Sequence, residues 1–239
     1  MKKVMDGLGI KVFTDGANVA QMIELASDPL VQGFTTNPTL MRQAGVVDYA
    51  TFVKELTSVI TEHPISFEVI SDDFAEMERQ ALCLREFGDN VFVKIPITDT
   101  SGASAARLMT RLADAGVSVN ATALMTLDQV RIATDALGDG PAAVISVFAG
   151  RIADAGIDPV PLMREAKSII SSNPNLELLW ASPREVLNVV QADQIGCDII
   201  TVTPDLLKKL ATLGRDLADF SLATVRMFRD DAVAAQYDF

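Results

Sequence analysis

A lysine stands in the middle of NVFVKIPITD, residues 90–99, a short β-branched run whose side chains a strand should bury. Lysine is almost never fully buried unless it is paired or put to use. An amine attacks a carbonyl only when neutral, and burial disfavours the ammonium form, which is how Schiff-base lysines are made. Lys94 therefore reads either as such a nucleophile or as half of a structural ion pair with Glu68 of ISFEVIS, residues 65–71. In the first reading Glu68 would hold a water with Thr122 and shuttle the protons that dehydrate a carbinolamine. Asp15 ends the first strand, in VFTDGAN, residues 12–18. A carboxylate beside a Schiff-base lysine can take a hydroxyl proton during C–C cleavage and return it on bond formation. Its plainer use is as N-cap of a helix starting near Asn18.

Two arginines form a second group. Arg151 lies in FAGRIADAG, residues 148–156, and Arg184 in WASPREV, residues 180–186. Two guanidinium forks suit a cluster of anionic oxygens, and Ser182 with the start of the helix after Pro183 would add donors. Surface pairing with Asp154 and Glu185 is the ordinary alternative. The sole histidine, His63, sits beside Pro64 and reads as a loop residue. One histidine and two distant cysteines make no zinc site of the usual type, and neither a phosphate loop nor a dinucleotide-binding glycine motif is present. No metal is expected.

The elements that would position these residues follow from periodicity. Candidate strands are KVFTD, GFTTN, ISFEVI, VFVKIP, VSVNAT, AVISVF, LELLWAS and IITVT. Between them run helical patterns such as DDFAEMERQALCLREFG and SGASAARLMTRLADAG, with glycine at their ends. Eight strands alternating with helices indicate a single parallel (β/α)8 TIM barrel, with an open doubly wound sheet as the competitor. Glu68, Lys94, Asn120 and Ser146 recur every 26 residues, the mark of one βα unit repeating at nearly constant length. Period-2 alternation then turns Phe92, Lys94, Asn120, Thr122, Ser146 and Phe148 inward and Val91, Val93 and Ile95 toward the helices. Polar groups gather near the C-terminal strand ends, where barrel enzymes hold their sites. Beyond the eighth strand, residues 216–239 exceed what a closing helix needs. Leu217, Phe220, Val225 and Phe228 could line an extra helix that packs on its own barrel or, with Tyr237 and Phe239, on a neighbouring subunit.

Composition bounds the class. The 239 residues read as one domain, 49% apolar, with mean hydropathy +0.26. A net charge of −12 argues against a nucleic-acid partner, so any anionic ligand needs a local cluster of positive groups. No run reaches the roughly 18 apolar residues of a membrane span, and no apolar stretch follows the first lysines as in a secretory leader. Cys83 and Cys197 read as buried free thiols of a reducing, cytoplasmic compartment.

Together these stretches resemble the transaldolase family nearly end to end, specifically its short, fructose-6-phosphate-aldolase-like members. TDGAN resembles the strand-one segment with the catalytic aspartate (Asp15), and GFTTNPTLM the strand-two motif, with Thr36 and Asn37 in substrate-binding positions. VFVKIPIT resembles the Schiff-base strand, with Lys94 reactive, and ISVFAGRIAD the signature carrying Ser146 and Arg151. Glu68, Asn120, Thr122 and Phe148 side with the transaldolases; the aldolases typically have Gln for that Glu and Tyr for that Phe, and lack the Asn. The resemblance implies transfer of a dihydroxyacetone unit from a ketose phosphate, of the fructose 6-phosphate or sedoheptulose 7-phosphate type. The acceptor would be an aldose phosphate such as glyceraldehyde 3-phosphate or erythrose 4-phosphate. Neither cofactor nor metal is implied, because the protonated imine is the electron sink. It also implies a homo-pentamer, or a decamer of two pentameric rings. Release of free dihydroxyacetone is the alternative. Pro183 and Trp180 depart from the family beside the anion-binding Arg184, leaving the terminal group open between phosphate and another anion, such as the sulfonate of 6-deoxy-6-sulfofructose.

Overall fold

β-Branched runs make the strands, and side-chain caps open most of the helices between them. In the computed structural model, which describes residues 7–237, the strands are β1 Lys11–Asp15, β2 Gly33–Thr35, β3 Ile65–Glu68, β4 Val91–Pro96, β5 Val119–Leu124, β6 Ala143–Val147, β7 Leu176–Trp180 and β8 Ile199–Val202. The helices are α1 Val19–Leu25, α2 Pro38–Gln43, α3 Tyr49–Thr57, α4 Phe74–Arg85, α5 Ala106–Asp114, α6 Leu127–Leu137, α7 Ala149–Asp154, α8 Pro159–Ile170, α9 Val186–Gln194, α10 Pro204–Lys209 and α11 Leu217–Ala234. Each strand pairs in parallel with the next, and β1 pairs with β8, closing the barrel. The alternative open sheet is thereby excluded. Asn18, Asn37, Asp48, Asp73, Thr126, Asp158, Thr203 and Asp216 accept hydrogen bonds from first-turn N–H groups that would otherwise be unpaired. Since Asn18 caps α1 with its own side chain, Asp15 is free of that task.

Alternation sorts the side chains as expected. Val91, Val93 and Ile95 are buried in the layer between barrel and helices with Met77, Leu84, Met109 and Leu112. Inside the barrel, Phe13, Val144, Leu179, Ala181 and Ile199 form a separate apolar plug against Phe92 and Phe148. Gly33 leaves room for it: a Cβ there would lie 2.5 Å from the Phe13 ring.

Four expectations need correcting. Trp180 faces outward into the barrel–helix layer, fully buried, and so does not border Arg184 across the mouth. Cys197 is buried, its thiol pushed up to about 12 by desolvation, but Cys83 is exposed on α4; both are free. The third concerns α11, none of whose residues is buried: Leu217, Val225 and Phe228 are 80%, 61% and 63% exposed. Packing of that helix on its own barrel is ruled out, while Phe239 lies outside the described residues. Last, the helix after Pro183 begins only at Val186, and the Asn188 side chain already accepts from the N–H groups of Arg184 and Glu185. Those two donors are not free for an anion. Among the described residues no helix is long and apolar enough to cross a membrane.

Two strand ends carry unusual backbone. Ala123 has φ 65°, and the β5–β6 register shifts there, a bulge immediately after Thr122. Ser182 has φ 62° although Pro183 follows it, a conformation that both a side chain and a following proline disfavour. The first turn of α7 presses on it: a Cβ at Gly150 would fall 1.5 Å from the Ser182 carbonyl oxygen, a contact with backbone that cannot swing aside. Gly150→Ala should therefore force α7 and the loop after β7 apart. Taking about 1–3 kcal/mol for overpacking and about 2–4 °C per kcal/mol, its melting temperature should fall by roughly 3–10 °C in a calorimetric scan; an unchanged melting temperature would contradict the contact.

Candidate active site

β3, β4 and β5 stand side by side with Glu68 opposite Lys94 and Lys94 opposite Asn120. That register converts the 26-residue spacing into a row of polar side chains on the inner wall. Lys94 is 6% exposed. Its Nζ lies 2.9 Å from Glu68 Oε2 and donates to the backbone carbonyl of Thr36 at 2.7 Å. The ion pair considered from the sequence is thus present, alongside the features the nucleophile reading requires. Burying two charges costs several kcal/mol per ion unless geometry and extra hydrogen bonds compensate. Here they do. The Thr36 N–H and hydroxyl both donate to the Ser66 carbonyl, which aims the Thr36 carbonyl at Nζ.

Thr36, expected among the substrate-binding residues, meets Lys94 through its carbonyl, while its hydroxyl bonds the Ser66 carbonyl. The inward hydroxyl of this segment is that of Thr35, which donates to Asp15 Oδ1 at 3.0 Å. Asn37 accepts from the Leu40 N–H as N-cap of α2, which turns its amide nitrogen to Asp15 Oδ2 at 3.2 Å. Asp15 thus has a donor on each oxygen. Burial dominates nonetheless and raises its carboxyl above the ordinary range. The Lys94 ammonium pulls it back most strongly, the Thr35 and Asn37 hydrogen bonds act in the same sense, and the Glu68 charge opposes them. Asp15 and Lys94 therefore share one electrostatic environment across the barrel.

Ser146 donates to Asn120 Oδ1 at 2.6 Å, and the Asn120 amide donates to Ser66 Oγ at 3.0 Å, an inner belt linking β6, β5 and β3. Thr122 Oγ1 is buried without any partner among the described residues, so its donor and acceptor capacity is unspent. Phe148 is half-buried at the start of α7, and the Arg151 guanidinium carbon lies 5.7 Å from its ring centroid. Arg151 makes no ion pair among the described residues. Arg184 donates to Ser182 Oγ at 3.2 Å and forks onto Asp154, whose carboxyl it holds below the usual range. For Arg184 the ordinary surface pairing is realised, though with Asp154 rather than Glu185.

Sequence reading missed Thr35, Ser66, Thr201 and Tyr49. The Tyr49 hydroxyl donates to the Glu68 carbonyl at 2.8 Å, and burial beside Glu68 raises its phenol. Alternation in GFTTN, which puts Gly33, Thr35 and Asn37 on one face, was the available signal for Thr35. For Tyr49, on a helix 19 residues from its partner, there was none.

Comparison with known proteins agrees with this geometry. The family model described as Transaldolase/Fructose-6-phosphate aldolase matches residues 12–238. A protein of Nitrosopumilus maritimus (strain SCM1) named "Probable transaldolase" is 35% identical over 204 residues, covering 84% of this chain and 87% of its own. One of the same name from Chelativorans sp. (strain BNC1) is 37% identical over 202 residues, covering 84% and 88%. A solved structure from Burkholderia cenocepacia J2315 superposes with TM-score 0.60 at 12% identity, covering 96% of this chain and 87% of that one, a likeness of fold alone.

The electrostatics of Asp15 can be measured directly. In a carboxyl-carbon NMR titration its midpoint should lie above the reference 3.8, and Lys94→Met should move it higher, because the ammonium is the strongest influence favouring the carboxylate. A midpoint below 3.8 would mean that hydrogen bonds and charge outweigh burial.

Proposed function

The chain belongs to the transaldolase/fructose-6-phosphate aldolase family, and from that premise we propose that it is a transaldolase working through a Schiff base on Lys94. The observation that carries this reading is the buried Lys94 Nζ between the Glu68 carboxylate and the Thr36 carbonyl, within the field of Asp15. Glu68, 2.9 Å away, is placed to take the ammonium proton. The freed amine adds to the C2 carbonyl of a ketose phosphate. Water leaves the carbinolamine, with Glu68 and the unpartnered Thr122 hydroxyl handling its protons, and an iminium remains. Asp15 then removes the C4 hydroxyl proton, the C3–C4 bond breaks, and its electrons pass into the iminium to give an enamine. The aldose phosphate departs. Addition of an acceptor aldose phosphate, proton return from Asp15 and hydrolysis complete the transfer.

Asn37, Asn120 and Ser146 line the inner wall as polar contacts for the ketose hydroxyls. Phe148 places a ring where a hydroxyl would assist water, which favours transfer over release of free dihydroxyacetone. The terminal anion, phosphate or a sulfonate at the same carbon, falls to Arg151, Arg184 and Ser182. The exposed α11 supports assembly into a homo-oligomer, a pentamer or a decamer of two pentameric rings, since its apolar residues find no cover on their own barrel.

Borohydride reduction with a ketose phosphate should add the substrate's mass to the intact chain. Lys94→Met should abolish both adduct and turnover while keeping the fold, whereas Asp15→Asn should form the imine and accumulate it. A Lys94→Met variant that still turned over would end the Schiff-base reading. For the anion site, a charge-assisted hydrogen bond of about 1.5–3 kcal/mol implies a loss of roughly 10- to 150-fold. Arg151→Ala should raise KM by that order for phosphorylated ketoses and far less for unphosphorylated ones. Arg184→Ala should do so to a smaller extent, because Asp154 already engages its fork. Equal losses on both substrate types would remove the arginines from the anion site.

A further inference from the structure

Thr201, on the inner face of β8, has a role that proton counting reveals. Its hydroxyl lies 2.6 Å from that of Thr35, and both residues are buried, 6% and 4% exposed. Each hydroxyl has one proton to give. An ionised carboxylate can only accept, so the Thr35 proton is committed to Asp15 Oδ1 at 3.0 Å. The 2.6 Å contact is then necessarily Thr201 donating into the Thr35 oxygen. Thr201 Oγ1 has no other partner among the described residues.

The second donor to Asp15 is fixed in the same manner. The Asn37 carbonyl oxygen is taken by the Leu40 N–H, so its amide N–H must point at Asp15 Oδ2. Each of the two donors is thus oriented from behind, one by a helix N-cap and one by a hydroxyl two strands away. β1 lies between β8 and β2, which is how Thr201 and Thr35 reach each other across it. The charged groups facing Asp15 are Lys94 from β4 and Glu68 from β3. β2 and β8 carry no charged residue, and Asp205, Lys208 and Lys209 of α10 are exposed.

We propose that Thr201 is a positioning residue for the acid–base step: by donating to Thr35 it locks the Thr35 hydroxyl as a donor to Asp15 and so favours the carboxylate that must accept the substrate's proton. The inference rests on the assignment of Asp15 as that base. Without Thr201 the Thr35 hydroxyl can rotate and accept from a protonated Asp15, stabilising the form that cannot act as base. The sign follows: loss of Thr201 raises the Asp15 midpoint, and activity at the acid end of the profile falls while the alkaline plateau is kept.

The test has two readouts on the intact protein. Asp15 is titrated by carboxyl-carbon NMR, and kcat/KM is followed against pH with a ketose phosphate donor and an aldose phosphate acceptor. In Thr201→Val both the midpoint and the acid limb should rise by about half a pH unit, a roughly threefold loss of rate below the limb. Thr201→Ser should restore both. Thr35→Val should shift them at least as far, and Thr35→Val/Thr201→Val no further than Thr35→Val alone, because Thr201 acts only through Thr35. Should Thr201→Val fold poorly, Thr201→Ala supplies the same comparison. An unmoved midpoint, or additive shifts in the double variant, overturns the role of Thr201 and leaves Asp15 as base. A midpoint that moves while the acid limb stays, or a limb that survives Asp15→Asn, instead overturns the assignment of Asp15, and the role of Thr201 in the reaction falls with it.

Discussion

The contact on which the rest depends is the pair of Lys94 and Glu68, opposite one another on adjacent strands and 2.9 Å apart in space. Two charges drawn away from water are tolerated only when hydrogen bonds support them. The barrel provides that support through backbone as much as side chains. Thr36 offers its carbonyl to Nζ because Ser66 holds its N–H and hydroxyl, and Tyr49 ties down the Glu68 carbonyl from outside the barrel. A residue such as Ser66 thus supports the amine without touching it, while its own hydroxyl carries the belt onward to Asn120 and Ser146.

Closure of the sheet is what turns separate strand ends into a site. The interior is also filled by an apolar cluster of Phe13, Val144, Leu179, Ala181 and Ile199 beside the polar wall. The polar groups fall into two halves. On β3 to β6 lie the amine, its counter-ion and the amide–hydroxyl belt, and on β8, β1 and β2 lie Thr201, Asp15 and Thr35. The halves interact through charge, since Lys94 and Glu68 both act on Asp15. Strain concentrates at the same level. Ala123 and Ser182 hold left-handed backbone at the ends of β5 and β7, where departures from ideal geometry aim side chains rather than extend the sheet.

Around the rim the requirement changes from burial to local charge. A chain carrying −12 repels anions at long range, so an anionic ligand would need the positive groups of Arg151 and Arg184 at short range. Their states differ. Arg151 stands over Phe148 without an ionic partner among the described residues, and Arg184 is shared with Asp154 at the end of α7, the helix whose Gly150 fits against Ser182. The close approach of α7 to Ser182 thus accompanies the grouping of Asp154, Ser182 and Arg184.

Much of this was legible in the sequence. Alternation and the 26-residue recurrence of Glu68, Lys94, Asn120 and Ser146 set eight strands, their inward faces and the central polar row, because side-chain direction in a strand depends only on parity. The motif resemblance supplied Asp15 and Asn37. What sequence could not reveal were contacts created by closure and by loop conformation. Thr201 meets Thr35 only because β8 and β2 flank β1, and Tyr49 reaches Glu68 from a neighbouring helix. Which arginine is free depends on where Asp154 lies in space, not on its distance along the chain. Thr36 meets Nζ through its carbonyl, a group every residue has and no sequence pattern marks. The exposed α11 belongs to the same class: its apolar residues were visible from the start, but only the packed barrel shows that none of its own surfaces covers them. Local parity and residue chemistry thus belong to the chain, while the partner of each polar atom belongs to the three-dimensional closure that brings distant strands within hydrogen-bonding reach.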